Sequence, residues 1–258
     1  MKFVFDLDGT ICFKGQPIAK SILNSLSELT RRGHEVIFAS ARPIRDMLPV
    51  IDEEYHPYTM VGGNGSLIYK DKKIISSKAF PDEVVFEIKS LIKEFDATYL
   101  IDGGWDYTYT GPNNHPILQN VDPNCLAESV GIDRLNPIIK ILFLTSNNFE
   151  KLEKKLTQLN VFVNKHRNEN MLDISPKGIN KWNALNELGV KENDYIAFGN
   201  DSNDIPMFEK ALHTVMIGNH KELSPFAKEI IDNESGIEQV IVDKITKLSM
   251  DYSVNQMS

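Results

Sequence analysis

The sequence is poor in cysteine, and it carries no excess of positive charge. Its two cysteines, Cys12 and Cys125, lie far apart and form no CxxC or Cys/His cluster. This excludes a disulfide framework and a cysteine-rich metal site, so we expect two reduced thiols in a cytoplasmic protein. The formal net charge is -8 at pH 7, whereas a general nucleic-acid binder carries a basic patch or stripe. We therefore expect no nucleic-acid partner.

Long apolar runs are also missing. No stretch approaches the roughly 18 apolar residues of a membrane-spanning helix, so we expect no membrane partner. The N-terminal run "MKFVF" is too short, and too soon acidic, for a secretory signal peptide. The six histidines form no HExxH motif, "GNDSND" lacks the glycine and distal glutamate of an EF-hand, and no Gly-Lys-Ser/Thr follows "GGNG".

Strand and helix patterns alternate in the first part of the chain. The apolar runs "KFVF" and "HEVIFAS" predict buried strands. Between them, apolar residues recur at helical spacing and Gly33 suits a C-terminal cap. "ARPIRDMLPVI" predicts a second helix. Continuous apolar strands that alternate with helices are typical of a parallel sheet covered on both faces.

The alternation stops after residue 66 and resumes near residue 175. "SLIYKDKKIIS" predicts a hairpin, and two helix–strand–strand blocks follow it. Helix "NKWNALNELG", strand "YIAFG", helix "DIPMFEKA", strand "TVMIG" and helix "ELSPFAKEII" then continue the first pattern. We expect an α/β fold: a Rossmann-like parallel-sheet core of residues 1–80 and 175–258, with helices on both faces, and an inserted α+β domain of residues 81–174. The last eight residues show no pattern.

Acidic and polar residues follow the predicted strands. Asp6 and Asp8 come directly after the first strand, and the loop 200–204 follows "YIAFG". Ligands bind beyond the carboxyl ends of the strands in an open parallel sheet. Side chains two apart in a strand share a face, so both carboxylates point the same way. Beside an oxygen-rich loop they suit Mg²⁺, which would also relieve their repulsion.

Two further residues suit a phosphate group. Ser40 follows the second strand and offers a hydroxyl donor, and Lys181 opens a later helix with a positive charge. Each feature alone also has a purely structural interpretation: "DLDG" as a solvated turn, Ser40 as a strand end and Lys181 as a surface lysine. The ordered combination is much more specific than its parts.

The order of four motifs resembles that of the haloacid dehalogenase superfamily: "FDLDGT", "IFASAR", "SPKGINKWNAL" and "FGNDSNDIPMF". The likeness covers nearly the whole chain and is greatest to Cof-type phosphatases with a IIB cap, which the inserted domain would form. The resemblance implies a Mg²⁺-dependent phosphatase that hydrolyses small phosphorylated metabolites, such as sugar phosphates, through an aspartyl-phosphate. We expect a monomer or weak homo-oligomer.

The resemblance also implies a role for each matching residue. Asp6 would be the nucleophile, and Asp8 would protonate the leaving alcohol and then activate water. Asp204 would either hold a metal-bound water or orient Lys181. The implied metal-binding residues are Asp6, Asp8 (through its backbone carbonyl), Asn200 and Asp204. The implied phosphate- and substrate-binding residues are Ser40, Ala41, Arg42, Lys181 and Asn203.

The chain departs from the family pattern at the metal loop. Asn200 stands where the family has an aspartate, so the site loses a negative charge and we expect weaker Mg²⁺ binding. Ala41 replaces a common glycine and Ser40 a threonine, which are smaller changes. In the cap, the stretches 105–107 and 113–115 are candidates to contact the leaving group, although core aromatics in a strand would look the same.

Two other functions fit the same residues. One is a phosphosugar mutase similar to phosphomannomutases, which would depend on a bisphosphorylated activator. The other is a non-catalytic phosphometabolite-binding protein, which the Asn200 departure alone favours. The intact set of Asp6, Asp8, Ser40 and Lys181 argues against the second.

Overall fold

The computed structural model describes residues 1–166, 171–232 and 235–252. The strands in this part of the chain are β1 (Lys2–Phe5), β2 (Glu35–Ala39), β3 (Thr59–Gly62), β4 (Leu67–Lys70), β5 (Lys73–Ser77), β6 (Thr98–Gly103), β7 (Tyr107–Tyr109), β8 (Ile138–Thr145), β9 (Val161–His166), β10 (Met171–Pro176), β11 (Tyr195–Gly199), β12 (His213–Ile217) and β13 (Glu229–Ile231). The helices are α1 (Lys20–Arg31), α2 (Ile44–Met47), α3 (Asp82–Glu94), α4 (Phe149–Leu156), α5 (Lys181–Glu187), α6 (Ile205–Phe208) and α7 (Ile237–Asp251). Each of these helices is too short or too polar to cross a lipid bilayer.

The larger sheet has eight strands in the order β13-β12-β11-β1-β2-β3-β4-β5. Its first six strands run parallel, and β4 and β5 add an antiparallel hairpin. Successive residues of central β1 face opposite sides: Phe3 and Phe5 pack in the apolar cluster that contains α1 and α7 side chains, and Val4 packs with α5 and α6 side chains. Helices therefore cover both faces, and the predicted Rossmann-like core is confirmed.

The smaller sheet is built from the inserted segment. It is antiparallel, in the order β7-β6-β8-β10-β9. Helices α3 and α4 supply Ile88 and Leu152 to its apolar core, where they pack with Phe143 and Ile174. The predicted α+β insertion is confirmed. We propose that the core and the cap divide at the predicted boundaries, with the cap at residues 81–174.

Two helix predictions are wrong, and proline contributes to both. The predicted helix over 41–51 is limited to α2, because Pro49 lacks the N–H that would continue the hydrogen-bond ladder; a 3-10 turn, Leu48–Val50, follows instead. The predicted helix "ELSPFAKEII" is a 3-10 turn around Pro225 followed by β13, which finds backbone partners along β12. Helix α7 has no counterpart among the predictions, and residues 253–258 lie outside the described part of the chain.

Buried charges join the two sheets next to the carboxyl end of β2. Arg45 is 1% exposed and donates to Asp46, to Asp102 of the cap at 2.9 Å and to the Trp105 carbonyl at 2.9 Å. Lys140 of β8 donates to the Ala41 carbonyl at 3.2 Å. These contacts place the cap directly over the loop that follows β2.

Candidate active site

A cavity of about 130 Å³ lies where β1, β2, β3 and β11 end. The parallel strands deliver their carboxyl ends to the same edge, as the sequence predicts. Six predicted site residues line the cavity, together with Asn64, Asp173 and Asp201: Asp6, Asp8, Ser40, Ala41, Asn200 and Asn203.

Asp6 is held by two side chains. Its carboxylate is 4% exposed, and its two oxygens accept hydrogen bonds from Lys181 Nζ at 2.6 Å and from the Thr10 hydroxyl at 2.8 Å. Burial raises the pKa of Asp6 to about 7, although the Lys181 charge opposes the rise. The geometry thus fixes one orientation for a carboxylate that borders the cavity.

Lys181 is a buried cation between two carboxylates. It is the first residue of α5, where the Asn180 side chain caps the helix by accepting the Asn183 N–H. Its Nζ lies 2.6 Å from carboxylate oxygens of both Asp6 and Asp204. Burial alone would lower the pKa of Lys181, but the charges of Asp204 and Asp6 outweigh it and raise that pKa above its usual value. Lys181 is therefore an ammonium ion at neutral pH.

Asp204 is fully buried and does not line the cavity. Oδ1 accepts from Lys181, and Oδ2 accepts the backbone N–H groups of Asn200 and Asp201 at 2.8 and 3.1 Å. A Cβ at Gly199 would lie 2.6 Å from Asp204 Oδ2, so only glycine fits there. Of its two expected roles, we propose that Asp204 orients Lys181 and shapes the loop.

Arg42 contacts Asp8 and does not line the cavity. Its Nε and Nη2 donate to the two Asp8 carboxylate oxygens at 2.7 and 2.5 Å, a bidentate pair. The Asp8 side chain is 49% exposed. Ser40 Oγ accepts the Arg42 N–H at 3.1 Å, which leaves the Ser40 O–H as a donor at the cavity. Arg42 thus fixes the orientation of Asp8, whereas Ser40 faces the cavity.

Asn64, which follows β3 and lines the same cavity, is not among the predicted site residues. Asn64 has a left-handed backbone, with φ of 58°, and its Oδ1 accepts from Asn203 Nδ2 at 3.0 Å. Its N–H donates to the Ser40 carbonyl at 2.9 Å. The sequence signal for Asn64 is an asparagine between glycines, in "GGNG", directly after a buried strand.

The cap contributes Asp173 of β10 to the cavity, paired with Lys140 at 3.2 Å. The cap stretches considered from the sequence lie elsewhere: no described residue lining this cavity belongs to 105–107 or 113–115. Tyr107 places its ring 4.8 Å from the Arg45 guanidinium, and His115 accepts the Ile117 N–H. These cap stretches are therefore better interpreted as part of the packing of the fold than as contacts to the leaving group.

The residues around the cavity fit a magnesium ion. Within the described ranges, no group of three or more His, Cys, Asp or Glu forms a metal cluster. Mg²⁺ does not need one, because it takes one or two carboxylates and keeps several waters. Asp6, Asp8 and the Asn200 amide line the cavity, and the Asn200 amide nitrogen lies 2.1 Å from where a Cβ on Gly9 would be. The glycine thus lets the Asn200 side chain sit directly on the turn after β1.

The raised pKa of Asp6 predicts a pH-dependent stability in Mg²⁺-free buffer. The folded protein holds a proton on Asp6 up to about pH 7, whereas the unfolded chain releases it near 3.8. Stability conferred by Asp6 is therefore lost as the pH rises through this window, by at most about 1.4 kcal/mol per pH unit. Urea unfolding from about pH 5 to about pH 7 should show this fall relative to Asp6→Asn. Identical pH profiles of both proteins would contradict it.

Most of the chain matches a known protein family. The model of the haloacid dehalogenase-like hydrolase family matches residues 3–241. A relative named HMP-PP phosphatase from Serratia proteamaculans is 24% identical, with 83% of this chain and 82% of that protein covered. A Bacillus subtilis relative named 5-amino-6-(5-phospho-D-ribitylamino)uracil phosphatase YitU is 22% identical, covering 83% and 85%.

Solved structures show the same fold. The sugar phosphatase BT4131, of subclass IIB, aligns with a TM-score of 0.74 at 18% identity, covering 96% of this chain and 99% of that one. The resemblance inferred from the sequence motifs is thus confirmed, as is the expected enzyme class, a phosphatase of this type.

Proposed function

This chain belongs to the haloacid dehalogenase-like hydrolase family, and on that premise we propose that it is a cytoplasmic, Mg²⁺-dependent phosphatase of small phosphorylated metabolites. The observation that carries the proposal is the buried Asp6 carboxylate, held between Lys181 and Thr10 at the wall of the cavity. The fixed orientation suits a nucleophile, because positioning and electrostatic stabilisation supply most of the catalysis in phosphoryl transfer.

In the first half of the reaction, Asp6 attacks the phosphorus atom of the substrate. A carboxylate oxygen of Asp6 bonds to phosphorus as the bond from phosphorus to the ester oxygen breaks. Asp8 gives its proton to the departing alkoxide, which leaves as the alcohol. Ser40 donates a hydrogen bond from its hydroxyl to a phosphoryl oxygen. The nearby Lys181 ammonium stabilises the negative charge of the transferring phosphoryl group.

In the second half, Asp8 removes a proton from water. The water oxygen bonds to phosphorus, the aspartyl-phosphate bond breaks, and inorganic phosphate leaves with the Asp6 carboxylate restored. Arg42 holds Asp8 through two of its guanidinium nitrogens, Nε and Nη2, so the carboxylate keeps one orientation between the two proton transfers. Asn64 fixes the Asn203 amide at the same wall.

Asp6, the Asp8 backbone carbonyl and Asn200 would hold the metal. When bound, Mg²⁺ supplies positive charge that offsets the charge on the phosphoryl oxygens. It also explains how the raised pKa of Asp6 is compatible with a nucleophile that must be ionised, because a nearby cation favours the carboxylate form.

Replacing Asn200 by aspartate should tighten magnesium binding. Aspartate has nearly the same shape as asparagine but adds a negative charge at the cavity wall. We therefore expect the half-saturating Mg²⁺ concentration to fall about tenfold. The measurement is phosphate release titrated with Mg²⁺, repeated as a Mg²⁺-dependent shift in Tm. Asn186→Asp, at an exposed asparagine of α5, serves as the control and should leave the Mg²⁺ requirement unchanged. An unchanged Mg²⁺ requirement in Asn200→Asp would remove Asn200 from the proposed metal site.

A screen of phosphate esters with Mg²⁺, with Asp6→Asn as the blank, tests the function itself. Steady release of inorganic phosphate supports the phosphatase. Sustained dependence on a bisphosphorylated activator would indicate the phosphosugar mutase instead. Saturable binding without phosphate release at high Mg²⁺ would indicate the non-catalytic binder.

A further inference from the structure

A second cavity of about 430 Å³ adjoins the first one, and the two share Asn64, Asp173 and Asn203. Its volume is within the usual range for small-molecule sites. Because the first cavity holds the proposed nucleophile, whatever is esterified to the phosphate must extend from there. The three shared residues place the second cavity directly beside the first, where that group would extend.

The cap side of this cavity carries an exposed aromatic ring. Phe162 of β9 lines the cavity and is 56% exposed, while its neighbours Val161 and Val163 are partly buried against the cap core. Alternate residues of a strand face opposite sides, so Phe162 points away from that core. Ser175 is its cross-strand partner on β10 and lines the same cavity.

Part of the core side is apolar, next to the polar side chains of Asn180, Ser202 and Glu222. Ile205 and Pro206, in the first turn of α6, line the cavity with Ile179, which precedes α5. Phe162 lies on β9, which is an edge strand of the cap sheet. Here it borders a cavity whose other wall offers apolar contact, and the amides of Asn64 and Asn203 lie at the phosphate end.

On the basis of the proposed function, with the leaving group in this second cavity, we propose that Phe162 selects a leaving group with a ring that presents an apolar face. The ring of the leaving group packs between Phe162 of the cap and the apolar side chains of the core side. Its polar edge meets the asparagine and serine side chains of the cavity. An aromatic ring and the apolar face of a sugar ring share this chemistry. An acyclic alcohol has no such face to place against Phe162.

The test compares phosphate esters with and without a ring. Ring-bearing substrates are pyridoxal phosphate and a hexose phosphate; acyclic ones are glycerol phosphate and ethanolamine phosphate. Phe162→Ala should lower kcat/KM at least about tenfold for ring-bearing esters and less than about threefold for acyclic ones. Phe162→Tyr keeps the ring and should stay within about twofold of wild type. Phe86→Ala, which removes a 69% exposed cap phenylalanine on α3, is the matched control.

The outcomes separate this inference from the proposed function. If Phe162→Ala lowers kcat/KM for the pyridoxal ester alone, the preferred leaving group has a flat aromatic ring. If it lowers kcat/KM for the hexose ester alone, the preferred leaving group is a sugar ring. Either result supports the role of Phe162. Equal losses on ring-bearing and acyclic esters, or no loss on either, would overturn it while leaving the phosphatase intact. If wild type releases phosphate from no ester at saturating Mg²⁺, the proposed function itself fails.

Discussion

Asp6→Asn is expected to reduce phosphate release by about four orders of magnitude or more. The variant removes the attacking carboxylate and little else. In the wild type, Lys181 and Thr10 each donate a hydrogen bond to one of the two Asp6 carboxylate oxygens. The asparagine side chain keeps one of these oxygens as an acceptor. The loss should therefore appear in kcat, at unchanged secondary structure, in a phosphate-release assay with saturating Mg²⁺.

A stability measurement on the same variant shows whether the loss is chemical. The buried carboxylate has a pKa raised to about 7, so its ionised form destabilises the Mg²⁺-free protein. Asp6→Asn should consequently unfold at the same or a higher urea concentration than wild type at neutral pH. Wild-type turnover by this variant would refute Asp6 as the nucleophile.

Lys181→Met is expected to damage both activity and stability. It leaves the buried carboxylates of Asp6 and Asp204 without the cation that each contacts at 2.6 Å. Breaking a buried pair in this way destabilises a protein by about 3–5 kcal/mol. We expect phosphate release to fall about a hundredfold to a thousandfold, because the charge beside the transferring group is also lost.

A second substitution separates the two effects. Lys181→Met combined with Asp204→Asn removes one unpaired carboxylate, so it should recover part of the free energy of unfolding without recovering activity. Lys191→Met, at an exposed lysine after α5, is the matched control and should change neither. If the double variant is no more stable than Lys181→Met, the proposed Asp204–Lys181 pairing does not contribute as described.

Much of the site could be predicted from the sequence because it lies at strand ends. The apolar strands β1, β2 and β11 are recognisable by composition, and a parallel sheet brings their carboxyl ends to one edge. Asp6, Ser40 and Asn200 therefore line one cavity although they are far apart in the chain. Local pattern and one topological rule are sufficient for this part.

The side-chain pairings could not be predicted in the same way. Arg42 could face either phosphate or Asp8, and Asp204 could face either the metal or Lys181; the choice depends on burial and on backbone N–H groups that only the folded loop presents. In the structure, Arg42 pairs with Asp8 and Asp204 with Lys181. The residue types and their spacing in the sequence are the same whichever partner Arg42 or Asp204 contacts, so they cannot identify the partner.

The cap residues were harder still. Asp173 and Phe162 lie on the antiparallel strands β10 and β9 at one edge of the cap sheet, and both line the second cavity. The stretch around Trp105 has the more conspicuous aromatics, but it packs around Arg45. Which face of a cap strand meets the core is set by tertiary packing, and alternation alone cannot identify it.

Trapping the phosphorylated enzyme tests the central claim most directly. Asp8→Asn retains the nucleophile but lacks the base that activates water, and acetyl phosphate has a leaving group that departs without protonation. Mass spectrometry of Asp8→Asn after incubation with acetyl phosphate and Mg²⁺ should show the mass of one added phosphoryl group on the peptide that contains Asp6. The adduct should be hydroxylamine-sensitive and absent from Asp6→Asn/Asp8→Asn. Phosphate release without any such adduct, or an adduct on another residue, would contradict the account.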